Sequence, residues 1–79
     1  MSRGHSDIAE CVRKAIERYF RDLDGEDAVD LYNMVMQQVE APMLEAVMRH
    51  AEGNQTRAAE MLGINRNTLR RKLDEYGLL

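Results

Sequence analysis

The chain has 79 residues and a formal net charge of −3 at pH 7, which is enough sequence for one domain and not for several. Its single cysteine excludes an intramolecular disulfide and is typical of a reducing compartment, so we expect a cytoplasmic protein. No apolar run approaches the roughly 18 residues that a membrane span requires. The opening MSRGHS also lacks the apolar region of a secretory signal.

Charge is divided unevenly along the chain. Residues 1–48 carry five basic and ten acidic side chains, a net charge of −5, whereas residues 53–79 carry five basic and three acidic ones, a net charge of +2. This asymmetry indicates a basic working surface on an acidic body. Because Arg and Lys also decorate ordinary solvated helices, charge alone does not decide the function.

Apolar residues at helical spacing predict an all-α fold of four helices per chain. The first helix follows Ser6 as its N-cap, which leaves residues 1–6 as a short disordered lead, and it ends near Gly25. We expect Cys11 to be a small buried side chain on its apolar face. That face contains Ile8, Cys11, Val12, Ala15, Ile16, Tyr19, Phe20 and Leu23.

The second helix is predicted from about Asp27 to about Ala51, with a kink at Pro42. It carries a second wide apolar stripe. Two such helices make half of a four-helix bundle, so residues 7–51 are predicted to form the core of a C₂ homodimer. Five methionines are expected to fill the core: Met34, Met36, Met43, Met48 and Met61.

A helix-turn-helix is predicted in residues 54–79. Asn54 is expected to cap a helix over 55–62, Gly63 to allow a sharp turn, and Asn65 to cap a helix from 66 to about 75. Ala59 is small enough for the two helices to cross closely. The apolar residues that would face inward are Ala58, Leu62, Ile64, Leu69 and Leu73.

The outward side of the last helix is polar and basic, with Arg66, Asn67, Arg70 and Arg71 exposed and Asn65 and Thr68 near its start. Arginine can bond guanine in the major groove and asparagine can pair with adenine. Thr56, Thr68, Arg71 and Lys72 suit phosphates, as does the helix N-terminus after Asn54. The pattern predicts binding to double-stranded DNA. The alternative from another class is a helical dimer that binds a protein, which the overall acidity favours.

Other chemistry has little support in the sequence. The segment DLDGEDAVD fails the spacing of a calcium-binding EF-hand, and His5, His50 and Cys11 have no metal-ligand spacing. No nucleophile–base pairing or phosphate-cradling glycine motif occurs in the sequence. We therefore expect no enzymatic activity, no cofactor and no metal.

The segment GNQTRAAEMLGINRNTLRRKLDEYGL strongly resembles the C-terminal end of the Fis family of bacterial nucleoid-associated proteins, and RKAIERYF and VEAPMLEAVM resemble its dimerisation helices. The resemblance implies a homodimeric, DNA-bending transcription regulator of the nucleoid, with the transcription machinery as a further partner. It also implies that Asn65 and Arg66 meet bases. The residues that it implies for the DNA backbone are Asn54, Thr56, Thr68, Arg70, Arg71 and Lys72.

Two features depart from the best-known members of that family. Those proteins carry an N-terminal β-hairpin arm that contacts a DNA invertase, whereas only about six residues precede the first predicted helix here, so we expect no recombinase contact. Asp74 and Glu75 stand where those relatives have lysines, which predicts weaker contacts to flanking DNA. The same module also ends larger enhancer-binding activators and response regulators, which is the alternative if this chain is an excised piece.

Overall fold

The computed structural model describes residues 3–79, with side chains described from residue 7 onward. It contains four α-helices in chain order, which confirms the all-α prediction: α1 Arg3–Leu23, α2 Leu31–His50, α3 Gln55–Leu62 and α4 Arg66–Glu75. The chain divides into two compact units, of which the first ends at Leu31 and the second comprises Tyr32–Leu79. Within the described residues, no helix is both long and apolar enough to cross a membrane.

Helix α1 begins before the predicted position. The backbone is already helical at Arg3, so the prediction that Ser6 caps the helix is wrong, and residues 3–6 of the predicted lead belong to α1. Serine is only mildly unfavourable inside a helix, so it need not mark a boundary. Residues 1 and 2 of the predicted lead lie outside the described residues. The Cys11 side chain is exposed, contrary to the prediction.

Helix α2 begins four residues later than predicted, at Leu31 instead of Asp27. Asp30 has φ of 58°, a left-handed conformation that a right-handed helix cannot include but that aspartate tolerates better than most residues. Once begun, α2 continues as one helix through Pro42, in agreement with the prediction of a single helix.

The core of the second unit joins the C-terminal half of α2 to the helix-turn-helix. Six apolar side chains are buried there, at most 4% exposed: Leu44, Ala51, Ala58, Ala59, Leu69 and Leu73. Around them pack the partly buried Val47, Met48, Leu62, Ile64, Tyr76 and Leu78. All five residues predicted to face inward from α3, the turn and α4 therefore belong to this core or pack against it.

The methionine prediction holds only for Met48 in a single chain. Met34, Met36, Met43 and Met61 are all exposed, and the buried core of the second unit consists of leucine and alanine. On α2, Tyr32, Met36, Val39 and Met43 follow one another at intervals of four, three and four residues, so they lie on one face of the helix. We call this exposed apolar face the α2 stripe.

Candidate nucleic-acid interface

Asn54 begins α3 as predicted. Its backbone is extended, and its Oδ1 accepts a hydrogen bond of 3.1 Å from the backbone N–H of Arg57. The amide NH₂ of Asn54 makes no hydrogen bond within the described residues, and the side chain that carries it is exposed. It can therefore donate to an external acceptor beside the positive end of the helix.

The turn between α3 and α4 depends on Gly63. This residue has φ of 74°, and its N–H and that of Ile64 both donate to the carbonyl oxygen of Ala59, at 2.8 and 3.1 Å. A left-handed residue after a helix is the usual position for glycine, because a side chain there is strained. The predicted turn at Gly63 is confirmed in this detail.

Asn65 caps α4 and stands at its outer end. Its Oδ1 accepts a hydrogen bond of 2.7 Å from the backbone N–H of Asn67, which confirms the predicted cap. Since the oxygen serves the helix, the NH₂ of this exposed side chain is the group that remains to meet a ligand. Such a donor suits acceptors in the major groove or a phosphate oxygen.

The outward face of α4 is exposed and basic. Arg66, Arg70 and Arg71 are exposed, and none of them forms an ion pair with any side chain that the structure describes. Thr68 is half-buried beside them, and Thr56 is exposed at the start of α3. The predicted residues of α3 and α4 thus belong to one compact unit, and the charges of the three arginines are available to an anion.

Lys72 differs from the other predicted residues, because it already forms an ion pair within the protein. Its Nζ lies 2.8 Å from Oε2 of Glu40 on α2, and the two side chains are only 30% and 21% exposed. The hydroxyl of Tyr76 donates to the other oxygen of the same carboxylate, Oε1, at 2.7 Å. We call these three side chains the Glu40 cluster.

The hydrogen bonds of the Glu40 cluster shift the pKa values of Glu40 and Tyr76. The hydrogen bond from Lys72, with that from Tyr76, lowers the pKa of Glu40 below its ordinary value of 4.5. The hydrogen bond to the carboxylate raises the pKa of Tyr76 to about 12. Both shifts mean that the carboxylate and the neutral phenol are the favoured forms at neutral pH.

Sequence reasoning missed Glu40 and Tyr76 as partners of Lys72. A partial signal exists, since Lys72 and Tyr76 are four residues apart and therefore share one face of α4. Nothing in the sequence, however, places Glu40 of a different helix opposite that face. The described residues also contain no group of three or more His, Cys, Asp or Glu side chains that could hold a metal ion.

Comparison with known proteins identifies the family to which the chain belongs. The family described as bacterial regulatory protein, Fis family, matches residues 35–76, which is more than half of the chain. The chain belongs to the Fis family. The resemblance read from the sequence is thereby confirmed, and the matched region contains the α2 stripe from Met36 onward, the Glu40 cluster and both capping asparagines.

Individual relatives agree over a longer stretch. The chain is 58% identical to the DNA-binding protein Fis of Actinobacillus succinogenes over 71 residues, covering 90% of this chain and 72% of that protein. It is 57% identical to a Fis-like DNA-binding protein of Xylella fastidiosa, covering 100% of this chain and 90% of the relative. The DNA-binding protein Fis of Glaesserella parasuis is 55% identical over 90% of this chain and 72% of its own length.

The raised pKa of Tyr76 predicts a specific alkaline titration. Its pKa exceeds the ordinary 10.0, so the native state holds this proton more tightly than the unfolded state, and stability should fall as pH rises from about 10 to 12. Ultraviolet absorbance of tyrosinate should show a step centred near pH 12 that is missing in Tyr76→Phe. Glu40→Gln should move that step towards pH 10.0. A wild-type protein without a late step, with circular dichroism showing intact helices, would contradict the cluster.

Proposed function

We propose that this Fis-family protein is a homodimeric, DNA-binding and DNA-bending regulator of transcription that acts at the nucleoid. The observation that carries the proposal is the exposure of Arg66, Arg70 and Arg71 on the last helix of a helix-turn-helix, with no ion pair to any side chain that the structure describes. Basic side chains in this position match the recognition helix of such motifs, whose first residues enter the major groove. The names of the relatives, which describe DNA-binding proteins, support the same conclusion.

The proposed contacts divide into two groups. Asn65 and Arg66, at the start of α4, would meet base edges, because that end of a recognition helix lies deepest in the groove. Asn54, Thr56, Thr68, Arg70 and Arg71 would hold phosphates and fix the orientation of the helix. Lys72 could join the second group only by leaving Glu40.

The α2 stripe supports a dimer. Tyr32 is 79% exposed, and Met36, Val39 and Met43 are between 37% and 43% exposed in the single chain. A contiguous apolar face of this kind is typical of a buried interface, and a symmetric interface needs the same face on each copy. Helix α1, described by itself, also exposes Ile8 and Phe20.

Two arginine variants test DNA recognition. Arg66→Ala should cost roughly 1–3 kcal/mol on a specific duplex and relax the choice of base at one position. Arg71→Ala should weaken specific and random duplexes alike and lower the salt slope by about 1 per subunit. Binding titrations on both duplexes at two salt concentrations provide the comparison. Equal losses on the two duplexes for Arg66→Ala would reject its role as a base contact, and no duplex binding by the wild type would reject the function.

Asn65→Asp separates the cap from the DNA contact. Aspartate caps a helix about as well as asparagine, so the melting temperature should change little. The variant replaces the outward NH₂ donor by a carboxylate oxygen, which repels both phosphate and base acceptors, so DNA affinity should fall by roughly tenfold or more. Asn65→Ala is the matched control, since it should lose about 1 kcal/mol of stability through the missing cap. Unchanged DNA binding by a folded Asn65→Asp protein would exclude Asn65 from the interface.

The dimer is tested by a charge placed on or beside the α2 stripe. Val39→Glu puts a carboxylate into the stripe, whereas Gln38→Glu puts the same group on the neighbouring exposed position outside it. In sedimentation equilibrium, the wild type and Gln38→Glu should be dimers, and their melting temperatures should rise with concentration. Val39→Glu should lose both properties. A wild-type protein that sediments as a folded monomer at micromolar concentration would overturn the proposal.

A further inference from the structure

The charges around α4 are not all equally available to DNA. The exposed arginines 66, 70 and 71 lack ionic partners among the described residues, but the ammonium group of Lys72 lies 2.8 Å from a carboxylate oxygen. A charge-assisted hydrogen bond of this length is strong, and both side chains are largely shielded from water. Lys72 is therefore the one basic residue of α4 whose charge is neutralised within the second unit.

Position on the helix leads to the same distinction. Leu69 and Leu73 are fully buried and Tyr76 is half-buried, so these residues define the inward side of α4. Lys72 stands one turn before Tyr76 and shares its side, at the border between the buried and the outward faces. Arg71, its neighbour in sequence, is rotated by about 100° and is exposed.

Leaving Glu40 would be costly for Lys72. A phosphate would replace one charge-assisted bond by another, which gives little net gain. The departure would also leave the Glu40 carboxylate, only 21% exposed, with the Tyr76 hydroxyl as its remaining partner and close to an approaching polyanion. An unpaired, partly buried charge and like-charge repulsion both oppose that exchange.

We propose that Glu40 withholds Lys72 from DNA and so sets the strength of non-specific binding by this protein. In the complex, Lys72 remains a positioning residue that ties the last turn of α4 to α2, and one positive charge per subunit stays out of the phosphate contacts. This inference rests on the proposed function. It differs from the expectation that Lys72 contacts the DNA backbone, and it assigns a functional role to a carboxylate on α2.

Glu40→Gln is the direct test. The amide keeps the size of the side chain and an oxygen that accepts from Tyr76, but it removes the negative charge that holds Lys72. The freed ammonium should add one phosphate contact per subunit, which steepens the slope of log affinity against log salt by about 0.9 per subunit. Between 50 and 200 mM salt, the variant should therefore lose roughly 3.5-fold more affinity per subunit than the wild type. The probe is a random-sequence duplex, and circular dichroism verifies that each variant is folded.

Lys72→Met completes a double-mutant cycle. In the wild-type background it should leave the salt slope unchanged, and in the Glu40→Gln background it should remove the whole increase. Because the first of these results does not need Glu40→Gln to fold, the proposal stays testable if that variant is unstable. Tyr76→Phe, which removes a hydrogen bond without changing any charge, should leave the slope at the wild-type value.

Glu45→Gln controls for net charge alone. It neutralises an exposed carboxylate of the same helix that has no ion pair in the part of the chain that the structure describes, so it should not change the salt slope. A slope that rises equally in Glu45→Gln and Glu40→Gln would overturn the inference, as would a fall of about 0.9 per subunit for Lys72→Met alone. Failure of the wild type to bind any duplex would instead reject the proposed function.

Discussion

The burial of Leu69 and Leu73 is the constraint on which the rest of the second unit depends. Both side chains are fully buried with Leu44 of α2 and Ala58 of α3. A helix has 3.6 residues per turn, so once these two leucines face inward, Arg71 must face outward and Arg70 sideways. Arg66 lies nearer the direction of the leucines and is exposed at the first residue of α4. The small alanine side chains of α3 allow close packing, so that the two leucines fill the space between the helices. The exposure of Arg70 and Arg71 is thus a geometric consequence of the core, because the packing of the two leucines fixes the rotation of α4 about its axis.

Features that arise from local interactions could be predicted from the sequence, and those that arise from distant contacts could not. Asn54, Gly63 and Asn65 act on neighbouring backbone groups, so residue type and spacing suffice to predict the caps and the turn. The predicted start of α2 was wrong because Asp30 adopts a left-handed conformation, which the spacing of apolar residues does not reveal. The Glu40 cluster joins residues 32 and 36 positions apart, and nothing in a single sequence indicates which of several acids on α2 opposes Lys72.

The net charge of −3 is not an objection to a DNA-binding function. Salt screens exposed charges over about 8 Å at physiological ionic strength, so a phosphate at α4 responds mainly to the side chains of its own neighbourhood. Most of the acidic excess lies in residues 1–48, while α3 and α4 carry four exposed arginines, at positions 57, 66, 70 and 71. The acids that matter are those beside the arginines, namely Asp74 and Glu75 on α4 and Glu40 across from it. The first two are exposed and can act only through screened repulsion, but Glu40 acts by direct contact.

The Glu40 cluster gains a second significance if the protein is a dimer. The α2 stripe and α4 belong to the same compact unit, and Glu40 lies next to Val39 of the stripe. In a symmetric dimer built on that stripe, the separation of the two recognition helices would follow from how α4 is held against α2 in each copy. Adjacent major grooves on one side of DNA are about 34 Å apart. Because a dimer has two copies of α4, a small tilt of this helix would change the separation of the recognition helices once in each copy. A carboxylate that binds both Lys72 and Tyr76 resists such a tilt at the end of α4 that lies beyond Leu73. On the two proposals together, the contact that withholds the charge of Lys72 from DNA would also hold the exposed arginines of each copy at a defined spacing.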